Sequence, residues 1–173
     1  MAAADDRRAV LLDRIADHVL EHGLSASSLR PLAKAVGTSD RMLLYYFADK
    51  SELMAATLTH IAGRMVAAMS AYAAPDPIPF EALRLRLVAL VHAEAMWPYM
   101  RLWLEIATLA AQGDGLYRTV GGGLGRGFIA WGAAQLDCAE AEREREAARL
   151  MIIVEGTVVL KSLGLDDVLA LAG

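Results

Sequence analysis

Read for the spacing of its apolar positions, the chain divides into helical segments parted by helix-stopping residues. Over residues 5–22, Leu11, Leu12, Ile15 and Val19 recur every three or four positions with polar residues between, which predicts an amphipathic helix, and Gly23 stops it. Ser27 or Ser28 caps a second helix through Val36; Pro31 is tolerated because it falls in the first turn, and Gly37 closes the segment. A short third helix is expected over about Ser39–Tyr46, and Asp49 caps a long fourth one reaching about Tyr72. Pro75, Pro77 and Pro79 then form a stiff break. Helices are expected beyond it at about 80–96, 99–112, 115–136, 139–163 and 166–172, separated by Pro98, Gly113–Gly115, Asp137–Cys138 and Gly164. No useful stretch alternates with the period of a strand, so the pattern predicts an all-α chain of about nine helices.

Composition supports this and narrows the classes. The apolar fraction is 56% with only 6% aromatic, so the apolar stock is mostly aliphatic, rich in strong helix formers. No uncharged apolar run approaches the ~18 residues of a membrane span. The longest candidate, Leu150–Leu160, is cut by Glu155. A single cysteine, Cys138, rules out an internal disulfide, and no apolar core follows the first arginines; together these read as cytoplasmic. The net charge of −4 argues against coating nucleic acid by bulk attraction. Residues 1–50 balance seven Lys/Arg against seven Asp/Glu, so any grip on DNA must come from local placement of charge.

The segment Ser28–Lys50, SLRPLAKAVGTSDRMLLYYFADK, meets three requirements of a helix-turn-helix. Ala33 is small where a second helix must cross closely, and Gly37 sits where the chain must turn, often with positive φ. Leu43 locks the second helix onto the first, with Leu29, Leu32 and Val36 as further packing. In such a pair the N-terminal part of the second helix meets base edges in the major groove. Arg41 suits a guanine edge and Asp40 a cytosine amino group. Thr38 and Ser39 offer hydroxyls to phosphate, Tyr45 and Tyr46 reach phosphate or sugar, and Lys50 holds phosphate beside a helix N-terminus. Ser28 and Lys34, with Arg7, Arg8 and Arg30, supply further backbone contacts. For each there is a plainer structural role: Phe47 and Leu43 as core, Tyr46 as packing, Arg41 paired with Asp40 or Asp49, and Arg14 as a solvated residue.

This stretch resembles the signature of the TetR family of transcription regulators, in which a G-[VT]-S turn precedes a short helix ending in aromatics and an x-x-K-x-x-L segment opens the next helix. The matching residues are Gly37, Thr38, Ser39, Leu43, Tyr45, Phe47, Lys50 and Leu53, with Gly23, Ser28 and Leu32–Ala33 upstream. Leu44 and Tyr46 depart from the usual Tyr and His, and the clear resemblance covers about residues 8–55. It implies a DNA-binding domain over 1–48 and a helical ligand-binding and dimerisation domain over 49–173. The implied protein is a homodimer on a palindromic double-stranded operator, a repressor released by a small, apolar effector, with no catalysis and no cofactor. By the resemblance the last two helices form a four-helix dimer interface. A competing reading is a helical ligand-binding or scaffolding protein that no longer binds an operator, favoured by the neutral N-terminal charge and Leu44.

Other motifs carry less. His18-Val-Leu-Glu21-His22 has the H-x-x-E-H spacing of an inverted zinc-protease helix, yet it lies in the last turn before Gly23 and lacks a third ligand, so no metal is expected. The glycines 121, 122, 123, 125 and 127 do not fit a phosphate loop; Gly121/Gly125 and Gly123/Gly127 are small-residue pairs suited to close helix packing. Glu140–Arg143, Glu142–Arg145 and Glu146–Arg149 read as ion pairs on a solvated helix start. The run after them, Leu150 to Leu160, is apolar on more than one face and calls for a second surface such as a partner subunit. Met65, Met69, His92, Met96, Trp103, Phe128 and Trp131, with Trp97 nearby, are candidates for an adaptable apolar pocket, or simply core. Glu94, Glu105 and Glu155 fall in apolar stretches, where a buried carboxylate suits a cationic or hydrogen-bonding ligand.

Overall fold

Each helix starts and stops where the sequence supplies a physical reason. The computed structural model describes residues 2–71 and 73–171. Within them run α1 (Ala2–His22), α2 (Leu29–Ala35), α3 (Asp40–Tyr46), α4 (Lys50–Ser70), α5 (Phe80–His92), α6 (Trp97–Ala111), α7 (Gly115–Gln135), α8 (Glu140–Ser162) and α9 (Asp166–Leu171). Gly23, Gly37, Gly113 and Gly164 have positive φ at the ends of helices, which ends them without the steric cost that a side chain brings. Asp49 caps α4 by accepting from Glu52 N at 2.8 Å, and Glu52 reaches back to accept from Ala48 N at 2.6 Å. Asp114 caps α7 through Leu116 N and Tyr117 N.

Two boundaries differ from the sequence reading. The segment expected to run as one helix over 80–96 stops at His92, and a three-residue 3-10 turn, Glu94–Met96, leads into α6. Pro98 does not separate helices: it sits in the first turn of α6, where a missing N–H has no helical acceptor to lose. The expected extensions to Tyr72 and Ala172 lie outside the described residues. The proline-rich break is pinned down, since Ile78 N donates to Gln135 O and Asp137 N to Ile78 O, both at 2.9 Å. That isolated parallel bridge ties the break to the α7–α8 turn.

Buried residues gather in two cores. The first joins α1, α2, α3 and the first part of α4, and takes Leu102 and Ile106 from α6. The second joins α5, α6 and α8, with Met69 at the end of α4 and Leu136 after α7. Thus α4 and α6 contribute to both. On α8, Leu150, Val154 and Val158 face inward, whereas Ile152 is 72% exposed and Leu163, the residue just past its end, 66% exposed. The charged start of α8 is exposed from Glu140 to Arg145, with Arg145 paired to Glu142 at 3.0 Å, as the sequence suggests; the exception is the next residue. Glu146 is buried, its carboxylate taken by Arg145 and by Arg149, whose guanidinium lies 4.8 Å from the Phe80 ring centroid and docks α8 onto α5.

Candidate nucleic-acid interface

The geometry of α3 begins with Gly37. Its φ of +70° lets the chain leave α2 with Gly37 N bonded to Lys34 O and Thr38 N to Ala33 O. Ser39 then caps α3, its hydroxyl accepting from Met42 N at 3.3 Å. Leu32, Ala33 and Leu43 meet in the crease and are buried, and Phe47 closes the far end. Burying a side chain such as Leu43 contributes about 1.5–3 kcal/mol. That anchorage fixes which edge of a seven-residue helix faces out, because so short a helix has little stability of its own.

The outward edge is polar at its N-terminal end and aromatic at its C-terminal end. Ser39, Asp40 and Arg41 are exposed, Thr38 is half-buried, and Tyr45 is 75% exposed with its ring edge-on to Tyr46 at 5.2 Å. Tyr46 is half-buried and packs on the core, the plainer of the two roles considered for it. Ser28 is the N-cap residue of α2 and makes no capping bond with its side chain, while Lys34 is exposed in the last turn. Lys50 opens α4 and is exposed. Among the described residues none of Arg30, Lys34, Arg41 and Lys50 takes part in an ion pair, so Arg41 is not tied to Asp40 or Asp49.

Several acidic groups are occupied elsewhere, which eases the charge balance noted above. Asp13 and Asp17 on α1 bind His60 and Arg64 on α4, each at 2.7 Å, and the Asp17 contact holds the Arg64 guanidinium further toward its charged form. Asp49 and Glu52 are spent on capping. Two arginines are likewise committed. Arg8 lies 4.6 Å from the Phe47 ring centroid and 3.6 Å from Glu52, and Arg14 donates to Val36 O at 2.8 Å and Ala35 O at 3.3 Å. Arg14 is exposed, as its place in α1 suggests, and its guanidinium also satisfies carbonyls at the end of α2 and so holds the turn that aims α3.

The histidine motif forms no converging site. His18 and His22 stack at 4.4 Å between ring centroids, and among the described residues no three His, Cys, Asp or Glu side chains are grouped to hold a metal. Of the paired glycines, Gly125 packs against Met151 and Gly121 against Ile106, whereas Gly123 and Gly127 face open space.

Behind this surface lies an apolar cavity of about 80 Å³ between α4, α5, α6, α7 and α8. Met65, Met69, Met96, Trp103 and Phe128 line it; His92 and Trp131 do not. Trp131 instead stacks on Phe128 from outside the wall, and the Nε2 of His92 is buried without a partner among the described residues. Glu155 lines the cavity and accepts from Trp103 Nε1 at 2.6 Å; burial pushes its carboxyl up from the ordinary range, against the opposing pull of that bond. Burial also raises the Tyr117 phenol.

The sequence reading missed the junction between the cavity helices and the end of α1. On one face of α6, Arg101 donates to Leu20 O and Glu21 O, and Glu105 accepts from Leu24 N at 2.7 Å. These bonds satisfy backbone groups that a helix end leaves open. Two residues along, Trp103 of the same helix meets Glu155 in the cavity. The detectable signal was a carboxylate and an arginine at i,i+4 spacing in an apolar helix, but their partner was backbone, which leaves no sequence mark.

Comparison with known proteins agrees with this geometry. The profile described as "Bacterial regulatory proteins, tetR family" matches residues 11–57. The HTH-type transcriptional regulator BetI of Burkholderia thailandensis is 33% identical over 103 residues, covering 57% of this chain and 51% of that protein. The chain thus matches about half the length of that relative. A transcriptional regulator from Rhodococcus sp. Rha1 shares the fold, with a TM-score of 0.72 at 23% identity over 93% of this chain and 86% of that one. The helix-turn-helix thus lies within the segment that matches the tetR-family profile, and the fold is shared with the Rhodococcus regulator along nearly the whole chain.

Proposed function

We propose that this chain is a homodimeric, sequence-specific DNA-binding regulator, a repressor released by a small-molecule effector. The observation that carries the reading is the polar, unpaired edge of α3, with Ser39, Asp40 and Arg41 exposed on a helix anchored from behind by Leu43 and Phe47. In this reading Arg41 and Asp40 address base edges, and Ser28, Lys34, Thr38, Ser39, Tyr45, Tyr46 and Lys50 position the backbone. The relatives' names, all regulators, support it. The division of labour falls near residue 48, with DNA contact before it and effector binding and pairing after it.

The dimer surface in this reading is built from α7 and α8. With six described residues, α9 offers little surface for a four-helix bundle. Exposed Gly123, Gly127, Ala130 and Ala134 recur along α7, and exposed Ile152, Gly156 and Val159 along α8 with Leu163 just past its end, both with the i, i+4, i+7, i+11 spacing of one helix face. A two-fold pair built on them demands a roughly palindromic operator. An effector in the cavity acts only through its differential affinity for two spacings of the α3 helices. The route in this reading is α6, which meets the cavity with Trp103 and the end of α1 with Arg101 and Glu105.

The test is a gel shift on DNA flanking the protein's own reading frame, across a salt series. A complex that weakens with salt is expected. Arg41→Ala relaxes sequence choice at a cost of about 1–3 kcal/mol, while Lys50→Ala weakens all sites alike and lowers the salt slope by about one. Unchanged affinity in both variants overturns this docking. The competing reading, a helical binding protein without an operator, rests on Leu44, an apolar side chain 43% exposed on the proposed DNA face; absence of any salt-sensitive complex favours it.

A further inference from the structure

The wall of the cavity is apolar but for one charged group. Leucine, valine and isoleucine side chains, Phe128 and five methionines (Met65, Met69, Met96, Met100 and Met151) surround the space, and Glu155 projects from α8 among them. One of its oxygens accepts from Trp103 Nε1; among the described residues the other has no hydrogen-bond partner. Removing a carboxylate from water is costly unless something in the fold or a ligand compensates it. A wholly apolar ligand gains nothing from that group, which a leucine would replace at lower cost.

Among the described residues no cation compensates it. On α8 itself, Arg149 is taken by Glu146 and Phe80, and Lys161 by His92 O at 3.0 Å and the Trp97 ring. From α7, Arg126 lies over Gly122; from α5, His92 does not line the cavity; from α6, Tyr99 lines it with a phenol. From α4, Arg64 is held by Asp17 and His60 by Asp13. We infer, building on the effector-site reading above, that the cavity takes an amphipathic organic cation, an amine or ammonium with an apolar body, whose charge rests against the free oxygen of Glu155.

Size says how it enters. A cavity of about 80 Å³ is small, since benzene occupies an apolar cavity of roughly 150 Å³. An occupant with a ring therefore displaces its walls. The methionines are the walls able to yield, being unbranched with several rotatable bonds. Met151 yields least freely, because its Cε is already packed on the bare backbone of Gly125.

The experiment compares phenethylammonium with 2-phenylethanol, equal in heavy atoms and differing only in the charged group. Binding to the full chain without DNA is followed by calorimetry and tryptophan fluorescence. The cation is expected to bind about ten- to a hundredfold more tightly at neutral pH, the range of a hydrogen bond to a charged group. Its affinity falls as pH is lowered and Glu155 takes up a proton, while that of the alcohol stays level. Glu155→Gln removes the preference and keeps alcohol binding; should that variant not fold, the wild-type pH profile decides. Equal or tighter binding of the alcohol, a preference that survives Glu155→Gln, or binding of neither probe at millimolar concentration overturns the inference. A gel shift run alongside keeps the two readings apart: cation binding that leaves DNA affinity unchanged supports the ligand class and removes the effector role.

Discussion

Replacing Gly23 by alanine tests whether α6 holds the end of α1. Gly23 has a φ of +79°, and an L-residue in the left-handed region costs about 1–2 kcal/mol. Its Cβ would stand 2.5 Å from Glu105 Oε1 and 3.0 Å from Oε2. The carboxylate is the far end of a flexible side chain and moves aside, but in moving it gives up the 2.7 Å bond from Leu24 N–H. Leaving a partly buried N–H without its acceptor costs about 1–3 kcal/mol, so the total is about 2–5 kcal/mol. Gly37→Ala is the control. Its φ is +70°, yet its nearest neighbour, Arg14 Nη1, lies 4.0 Å from the new Cβ, so only the conformational part applies. The reduction in unfolded-chain freedom on Gly→Ala is common to both and cancels. In a Glu105→Ala background the hydrogen bond is already gone, and Gly23→Ala should cost no more than Gly37→Ala, giving a coupling of about 1–3 kcal/mol. Urea unfolding followed by helical circular dichroism, at one fixed protomer concentration, measures all four corners of the cycle. Equal costs for Gly23→Ala and Gly37→Ala in the wild-type background, or strict additivity in the cycle, refute the reasoning.

Three further outcomes are expected. Asp49→Ala removes the 2.8 Å cap of α4 and should lower stability by about 1 kcal/mol in the same assay; no change means that the cap contributes nothing. Glu155→Gln should change the pH dependence of stability in the absence of ligand. Burial raises the Glu155 carboxyl, so the protonated form carries no penalty at low pH, and stability is lost as pH rises from the ordinary glutamate range through the raised value. Unfolding from roughly pH 4 to 8 should show the variant gaining on the wild type with rising pH, and a constant gap counts against it. Ile152→Asp places a charge on a side chain that is 72% exposed in the single chain; sedimentation should show a shift to monomer with helix content unchanged, and an unaltered assembly discards the α8 surface.

The sequence determined the helices and the helix-turn-helix because both rest on local rules. Apolar spacing, capping residues and positive-φ glycines act within a few residues of each other, so Gly23, Gly37 and Asp49 marked their boundaries without reference to the rest of the chain. The crossing at Ala33, Gly37 and Leu43 was legible for the same reason, as its partners lie within one short stretch. Pro98 and the break after His92 were misplaced because proline ends a helix or begins one equally well, and packing decides which. Three carboxylates in apolar stretches looked alike in sequence. Only the tertiary structure separates them: Glu94 is exposed, Glu105 meets a backbone N–H from α1, and Glu155 enters the cavity. It also sorts the candidate pocket, leaving His92 and Trp131 outside, and turns Gly121 and Gly125 inward but Gly123 and Gly127 outward. Helical periodicity fixes the direction of a side chain around its own axis, whereas what it meets depends on how distant helices are docked, and that is set by the summed packing of both cores.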